Sequence, residues 1–172
     1  MKQLFLGFFV MLLLSGCGYK PSSYYAKQAL GEKIYAEVTI SRQDPRNSVL
    51  IKDAVNEAVV GRFGAKLVAK PEADSIVHVR IGSILFEPTM FDKYGYVIAY
   101  KATVTLAIDY EKKGSSPQKF TTTGEYDFSI VANSVISDSS RYDAIRFASN
   151  DALDEFISKI AIKGQRNGNN HQ

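Results

Sequence analysis

The sequence predicts an α+β fold, a two-layer sandwich in which two helices pack on one face of a four-stranded, mostly antiparallel sheet. Three observations predict it. Apolar residues alternate with period two from Ile34 to Ile40 and along two longer runs, from Tyr94 to Glu111 and from Gln118 to Val131. Apolar stripes at helical spacing follow the first strand and close the domain. The order strand, helix, three strands, helix then lets single-striped helices from both ends of the chain cover one side of the sheet.

In the first strand Ile34, Ala36, Val38 and Ile40 alternate with Tyr35, Glu37 and Thr39, the pattern of a half-buried strand. Asp44-Pro45-Arg46-Asn47-Ser48 supplies turn and N-cap chemistry. Leu50, Ile51, Ala54, Val55, Ala58, Val59 and Phe63 recur at helical spacing, and Gly64 is placed to stop the helix. A short stretch around Leu67 and Val68 leads to Pro71, and a second strand runs from Ser75 to about Phe86, where Pro88 ends it. The two long runs join through Lys113-Gly114-Ser115-Ser116-Pro117. Matching their side chains sets Tyr110 opposite Phe120, Val104 opposite Tyr126, Ala102 opposite Phe128 and Tyr100 opposite Ile130, with Glu111 against Lys119. Asp138, Ser139 and Ser140 open the last helix, Ser140 and Asp143 giving a capping-box-like start. Its stripe is Tyr142, Ile145, Ala148, Ala152, Leu153, Phe156 and Ile160, which leaves Asp151, Asp154 and Glu155 on a solvated face. Gly164 ends this helix, and residues 165–172 read as a disordered polar tail.

Laying the second strand against the third puts Val77, Val79, Ile81 and Leu85 on the helix-covered side, beside Val104, Ala102, Tyr100 and Tyr96. The open side then receives His78, Arg80, Ile84 and Phe86 with Val97, Ala99, Lys101 and Thr103. Its lower part is polar, with Thr105, Asp109, Thr121, Thr123, Glu125 and Asp127. Toward the loop from Glu87 to Lys93 it turns apolar, where Ile84, Phe86, Val97, Ala99 and Val131 gather near Met90 and Phe91. Arg80, Lys93 and Lys101 rim this patch. Apolar surface edged by cations suits a protein partner or an anionic amphipathic lipid, since acyl chains need oil and phosphates need positive charge. The competing reading folds the loop back as a satellite cluster. Tyr94, Tyr96, Tyr100 and Tyr110 share the period of the buried side and read as core.

The chain opens with Lys2, an apolar run from Leu4 to Leu14, and the small residues Ser15 and Gly16. These are the three parts of a secretory signal, and the run is too short to remain as a membrane span. Leu14-Ser15-Gly16-Cys17 resembles the bacterial lipobox, which implies cleavage before Cys17 and a diacylglyceryl thioether on its thiol. Acyl chains contribute about 0.8 kcal/mol per buried methylene, so two or three anchor a protein essentially for good. Cys17 is the only cysteine; once alkylated, it leaves neither a disulfide nor a thiolate metal site. Gly18 stands where an aspartate would resemble an inner-membrane retention signal, so the outer membrane is expected. Residues 17–33 read as a tether and residues 34–164 as one domain.

Removing the first 16 of the 172 residues leaves 156, enough for one domain with a real core. The formal charge of +3 falls by one with Lys2, far from the basic stripe of a nucleic-acid binder. A catalytic reading needs a nucleophile with a base, paired carboxylates or a metal cluster, and the sequence offers none of these patterns. His78 lies in a strand and His171 in the tail. The expectation is a protein that is not an enzyme and takes no cofactor or metal.

Cys17-Gly18-Tyr19-Lys20 resembles the C-G-aromatic-basic start of the lipopolysaccharide-assembly lipoprotein (LptE) family, whose element order matches the one read here. Asp44-Pro45, Ser48 and Ala54-Val55-Asn56 are similar to that family's first-helix region. The resemblance implies a plug inside the outer-membrane β-barrel translocon LptD that helps the barrel fold and binds lipopolysaccharide on its way to the surface. In the family a basic residue after a phenylalanine, between the second and third strands, contributes to lipopolysaccharide contact. Phe91-Asp92-Lys93 is the match here, which makes Lys93 the candidate. The family's second basic contact, before the last helix, has no counterpart between Asn133 and Ser140. The runner-up is an accessory lipoprotein of another envelope machine, such as a transporter auxiliary subunit or a secretin pilot, which would copurify with different partners.

Overall fold

The computed structural model describes residues 27–39 and 45–169, with side chains as far as residue 162. The leader, Cys17 and most of the expected tether lie outside these residues. Strand β1 is Lys33–Val38 and helix α1 is Pro45–Glu57, closing in a π-helical turn, Ala58–Arg62. Pro45 is the first helical residue, where its fixed φ is preorganised and its missing N–H is not needed. Gly64 follows the π turn at φ +61, where the sequence expects the helix to stop. Strands β2 (Lys66–Leu67), β3 (Ser75–Phe91), β4 (Val97–Lys112) and β5 (Gln118–Ser129) complete the sheet, and α2 (Asp138–Asn169) closes the chain.

The sheet has five strands in the order β2-β1-β3-β4-β5. β1 runs parallel to β2 and to β3, which the α1 crossover allows, whereas β3, β4 and β5 form an antiparallel meander. The fold class is the expected one, with β2 as an added two-residue strand beside β1. Both helices bury their stripes on one sheet face. Ile51, Val55 and Val59 of the first helical region and Ile145, Leu153 and Phe156 of α2 meet Val77, Val79, Val104, Leu106 and Ile108. Burying each such side chain contributes about 1.5–3 kcal/mol. Phe156 is fully buried between Tyr110 and Phe120, its ring edge-on to both at 6.2 and 5.4 Å.

Several expectations are corrected. Residues 27–32 pack onto the domain instead of forming part of a free tether: Leu30 is fully buried, and the Tyr110 hydroxyl donates to the Ala29 carbonyl at 2.7 Å. Asp74 accepts the amides of Glu32 and Lys33 at 3.0 and 2.9 Å. The Lys33 amide, chiefly, holds the Asp74 carboxyl below its ordinary value. The cap of α2 is Ser137, whose Oγ accepts the Ser140 amide at 3.1 Å, so Ser140 is the capped residue and not the cap. α2 continues through Gly164 to Asn169, because one glycine inside a helix costs only about 1 kcal/mol and does not terminate it unaided. β4 and β5 pair two residues away from the expected register, Tyr110 with Gln118, Ala102 with Tyr126 and Asp109 with Lys119. A slip of two preserves the faces, so the buried set is unchanged.

β3 departs furthest. It runs through Pro88 to Phe91 instead of stopping, and its register against β4 shifts at Ile81/Ser83. Gly82 is the extra residue of that bulge, and a side chain there would crowd the Thr105 carbonyl. One inserted residue exchanges the faces beyond it. Ile84 and Phe86 therefore pair with Val104 and Ala102 and pack against the core, while Leu85 moves to the open side opposite Thr103.

α2 also lies against the outer border of β5. Glu155 accepts the Thr123 amide at 2.7 Å, Asp151 accepts the Glu125 amide at 3.0 Å, and Lys159 donates to the Thr121 carbonyl at 2.8 Å. Asp154 pairs with Arg62. These side chains are not the merely solvated face that periodicity predicts.

Candidate functional site

β3 has 17 residues, a span of about 56 Å at 3.3 Å per residue. The helices do not follow it to its end. The last cluster they meet joins Phe86, Phe128 and Tyr100 through their rings, and the Arg141 guanidinium of the first turn of α2 lies 4.6 Å from the Phe86 ring centroid. Tyr126 continues this cluster, stacking on Phe128 at 6.5 Å and on Phe147 at 4.7 Å. Beyond it the β3–β4 hairpin projects with its apolar side chains uncovered. Met90 and Phe91 are each 57 % exposed and Tyr94 is 73 % exposed. Tyr96, Val131 and Val135 are exposed as well.

Two of the sequence expectations change here. Met90 and Phe91 are strand residues opposite Ala99 and Val97, and not part of a loop folded back onto the sheet. Of the tyrosine stripe, Tyr110 is core and Tyr100 half-buried, whereas Tyr94 and Tyr96 face solvent, because the hairpin outruns the helices that would have covered them.

The three candidate cations do not converge. Lys101 lies four residues from Val97, about 13 Å along β4, and Arg80 lies opposite Ala107, about 20 Å further. Lys101 is held by Glu125 at 2.7 Å, with Glu87 and Asp127 as its cross-strand neighbours. The hydrogen bond to Glu125, foremost, raises its pKa. Arg80 is paired with Asp109 at 3.0 Å, and His78 bridges the same carboxylate at 3.9 Å and Thr39 at 2.7 Å. Lys93 differs. It stands in the turn of the hairpin with Nζ 4.9 Å from the Tyr94 ring centroid, and among the described residues it makes no ion pair.

The structure thus gathers Met90, Phe91, Val97 and Lys93 at one end of the molecule, assigns Ile84 and Phe86 to the core side, and leaves Arg80 and Lys101 neutralised on the polar open face. Sequence reasoning missed Arg141 and the aromatic cluster beneath it. Tyr100, Tyr126 and Phe128 at even positions were the available signal, obscured by the register error. A cleft of about 340 Å³ lies where the two helix N-termini meet, lined by Leu50, Tyr142 and the same Arg141, with Arg46 and Asp138 paired across it at 3.6 Å. No group of three or more potential metal ligands occurs among the described residues, and no described helix is long and apolar enough to cross a membrane.

Comparison with known proteins bears on the fold and the family. Among solved structures, a putative lipoprotein from Caulobacter crescentus aligns with a TM-score of 0.51 at 10 % identity, covering 83 % of this chain and 98 % of that one. Rare lipoprotein B from Shewanella oneidensis aligns with a TM-score of 0.42 at 11 % identity, covering 81 % of this chain and 95 % of the other. At such identities the likeness concerns the fold, and only the first is close enough to support it. No curated protein sequence matches. The family model described as LptE, lipopolysaccharide-assembly, matches residues 35–160, from β1 to near the end of the buried part of α2. The chain is a member of the lipopolysaccharide-assembly family LptE.

Proposed function

We propose that this chain is exported, cleaved before Cys17 and held by acyl groups on that residue at the periplasmic side of the outer membrane, where it assists assembly of the LptD β-barrel, plugs it, and contacts lipopolysaccharide in transit. Family membership supports the setting. The observation that carries the contact is the hairpin end, where Met90, Phe91 and Tyr94 expose apolar surface beside Lys93, a cation without a carboxylate partner among the described residues. Such an end can meet acyl chains and phosphate together, as an anionic amphiphile requires. The open face below it, with Arg80–Asp109 and Lys101–Glu125 paired internally, suits a polar protein wall better than a polyanion. The protein's work on this reading is contact and not turnover, with no nucleic acid, cofactor or metal involved.

Affinity purification of a tagged copy from envelopes solubilised in mild detergent tests the partner. A large β-barrel in stoichiometric yield is expected; recovery of a transporter subunit or a secretin instead would transfer the chain to another machine. Mass spectrometry of the same material should find Cys17 acylated, and a free thiol there would overturn the placement.

A further inference from the structure

Residues 92–96, at the end of the hairpin, are organised by one side chain. Asp92 Oδ1 accepts the amides of Tyr94 and Tyr96, both at 2.9 Å. The Asp92 amide donates to the Tyr96 carbonyl at 2.8 Å, and the Gly95 amide donates to the Asp92 carbonyl at 3.0 Å. Gly95 sits at φ +84, a conformation that closes the turn and that glycine adopts without strain. Among the described residues no helix packs on this end, and Tyr94 and Tyr96 are exposed. The carboxylate therefore supplies the order that a core supplies elsewhere, and Lys93, between Asp92 and Tyr94, is carried by the turn it folds.

We infer that Asp92 is the positioning residue of the hairpin end, holding Lys93 and Tyr94 outward as a preformed cation and aromatic pair for the phosphorylated headgroup of an anionic amphiphile. The inference rests on the lipopolysaccharide-contact reading above. A carboxylate beside the ligand's cation repels an anionic headgroup, so Coulomb's law alone makes its removal favourable. Asp92 aids binding only if fixing the turn beforehand outweighs that repulsion, by sparing the ligand the ordering of the turn and its side chains.

The test compares Asp92→Ala and Asp92→Asn in the full chain, purified in mild detergent and titrated with lipopolysaccharide, with neutral phosphatidylcholine vesicles as control. Asparagine keeps an oxygen that can accept both amides and loses the charge. Asp92→Ala should bind lipopolysaccharide about ten-fold more weakly than the parent, and Asp92→Asn at least as tightly as the parent. Amide hydrogen exchange at Tyr94 and Tyr96 should quicken about ten-fold in the alanine variant alone, with the melting temperature unchanged. Tighter binding by both variants would mean that the carboxylate acts only as a repelling charge and would overturn the inference, as would unaltered exchange. A parent chain that fails to bind lipopolysaccharide while Asp92→Ala still quickens exchange would instead sink the contact reading and leave the turn's architecture standing.

Discussion

Gly124 of β5 lies flush against Ala148 of α2, whose carbonyl, with the Ala152 amide, fills the space a β-carbon would need. Neither neighbour is a flexible side chain that could swing aside. Gly124→Ala must push the helix off the sheet and should destabilise by about 3 kcal/mol, read as a lower urea midpoint. An unchanged midpoint would show that α2 is not seated on β5 as described.

Phe156 is enclosed by Tyr110 and Phe120 and has no exposed surface. Phe156→Ala should lose about 3–5 kcal/mol, since both transfer and cavity terms apply. Phe91→Ala, at the exposed end, should lose less than about 0.5 kcal/mol. Comparable losses at the two sites would contradict the assignment of core and projecting end.

Glu155 is held below the ordinary glutamate value, first by Lys159 and then by the Thr123 amide. The folded chain thus binds this proton more weakly than the unfolded chain. Its stabilisation is present above the unfolded value and disappears as pH falls through the folded one. Glu155→Gln should therefore lower the melting temperature at neutral pH, with the gap to the parent closing below about pH 4. A gap that stays constant into acid would show that the charge takes no part.

Lys93→Glu and Lys101→Glu should behave differently although both reverse a charge. Lys93→Glu should weaken lipopolysaccharide binding at unchanged stability. Lys101→Glu places another carboxylate among Glu87, Glu125 and Asp127 and should lower the melting temperature. Weaker binding on Lys101→Glu with unaltered stability would move the lipid contact to the open face.

The fold was readable wherever periodicity ran unbroken. The alternation of β4 and the stripe of α2 placed Ala102, Val104, Tyr110, Leu153 and Phe156 correctly in the core. What escaped was non-periodic or lay between elements. The bulge at Gly82 adds one residue and turns Ile84 and Phe86 around, a change that no alternation count anticipates. Pro88 stays in the strand beside two further register shifts, between Pro88 and Phe91, that relax the ladder it cannot complete. β2 has only two residues, too few to show a period. Within the candidate site, Lys93, Met90, Phe91 and Val97 were legible as an apolar and basic end. That Arg80 and Lys101 stand away from the patch and pair with Asp109 and Glu125 was not legible, because these carboxylates arrive from neighbouring strands through registers that side-chain matching set wrongly.

The side chains that α2 lends to β5 have a consequence for the chain before it meets any partner. A border strand with bare amides and carbonyls is a template on which a second chain can grow a cross-β stack. Asp151, Glu155 and Lys159 occupy that border from Thr121 to Glu125, and Asp127 puts a charge on the stretch that follows. That border of the sheet is thereby guarded against the addition of a strand from a second copy.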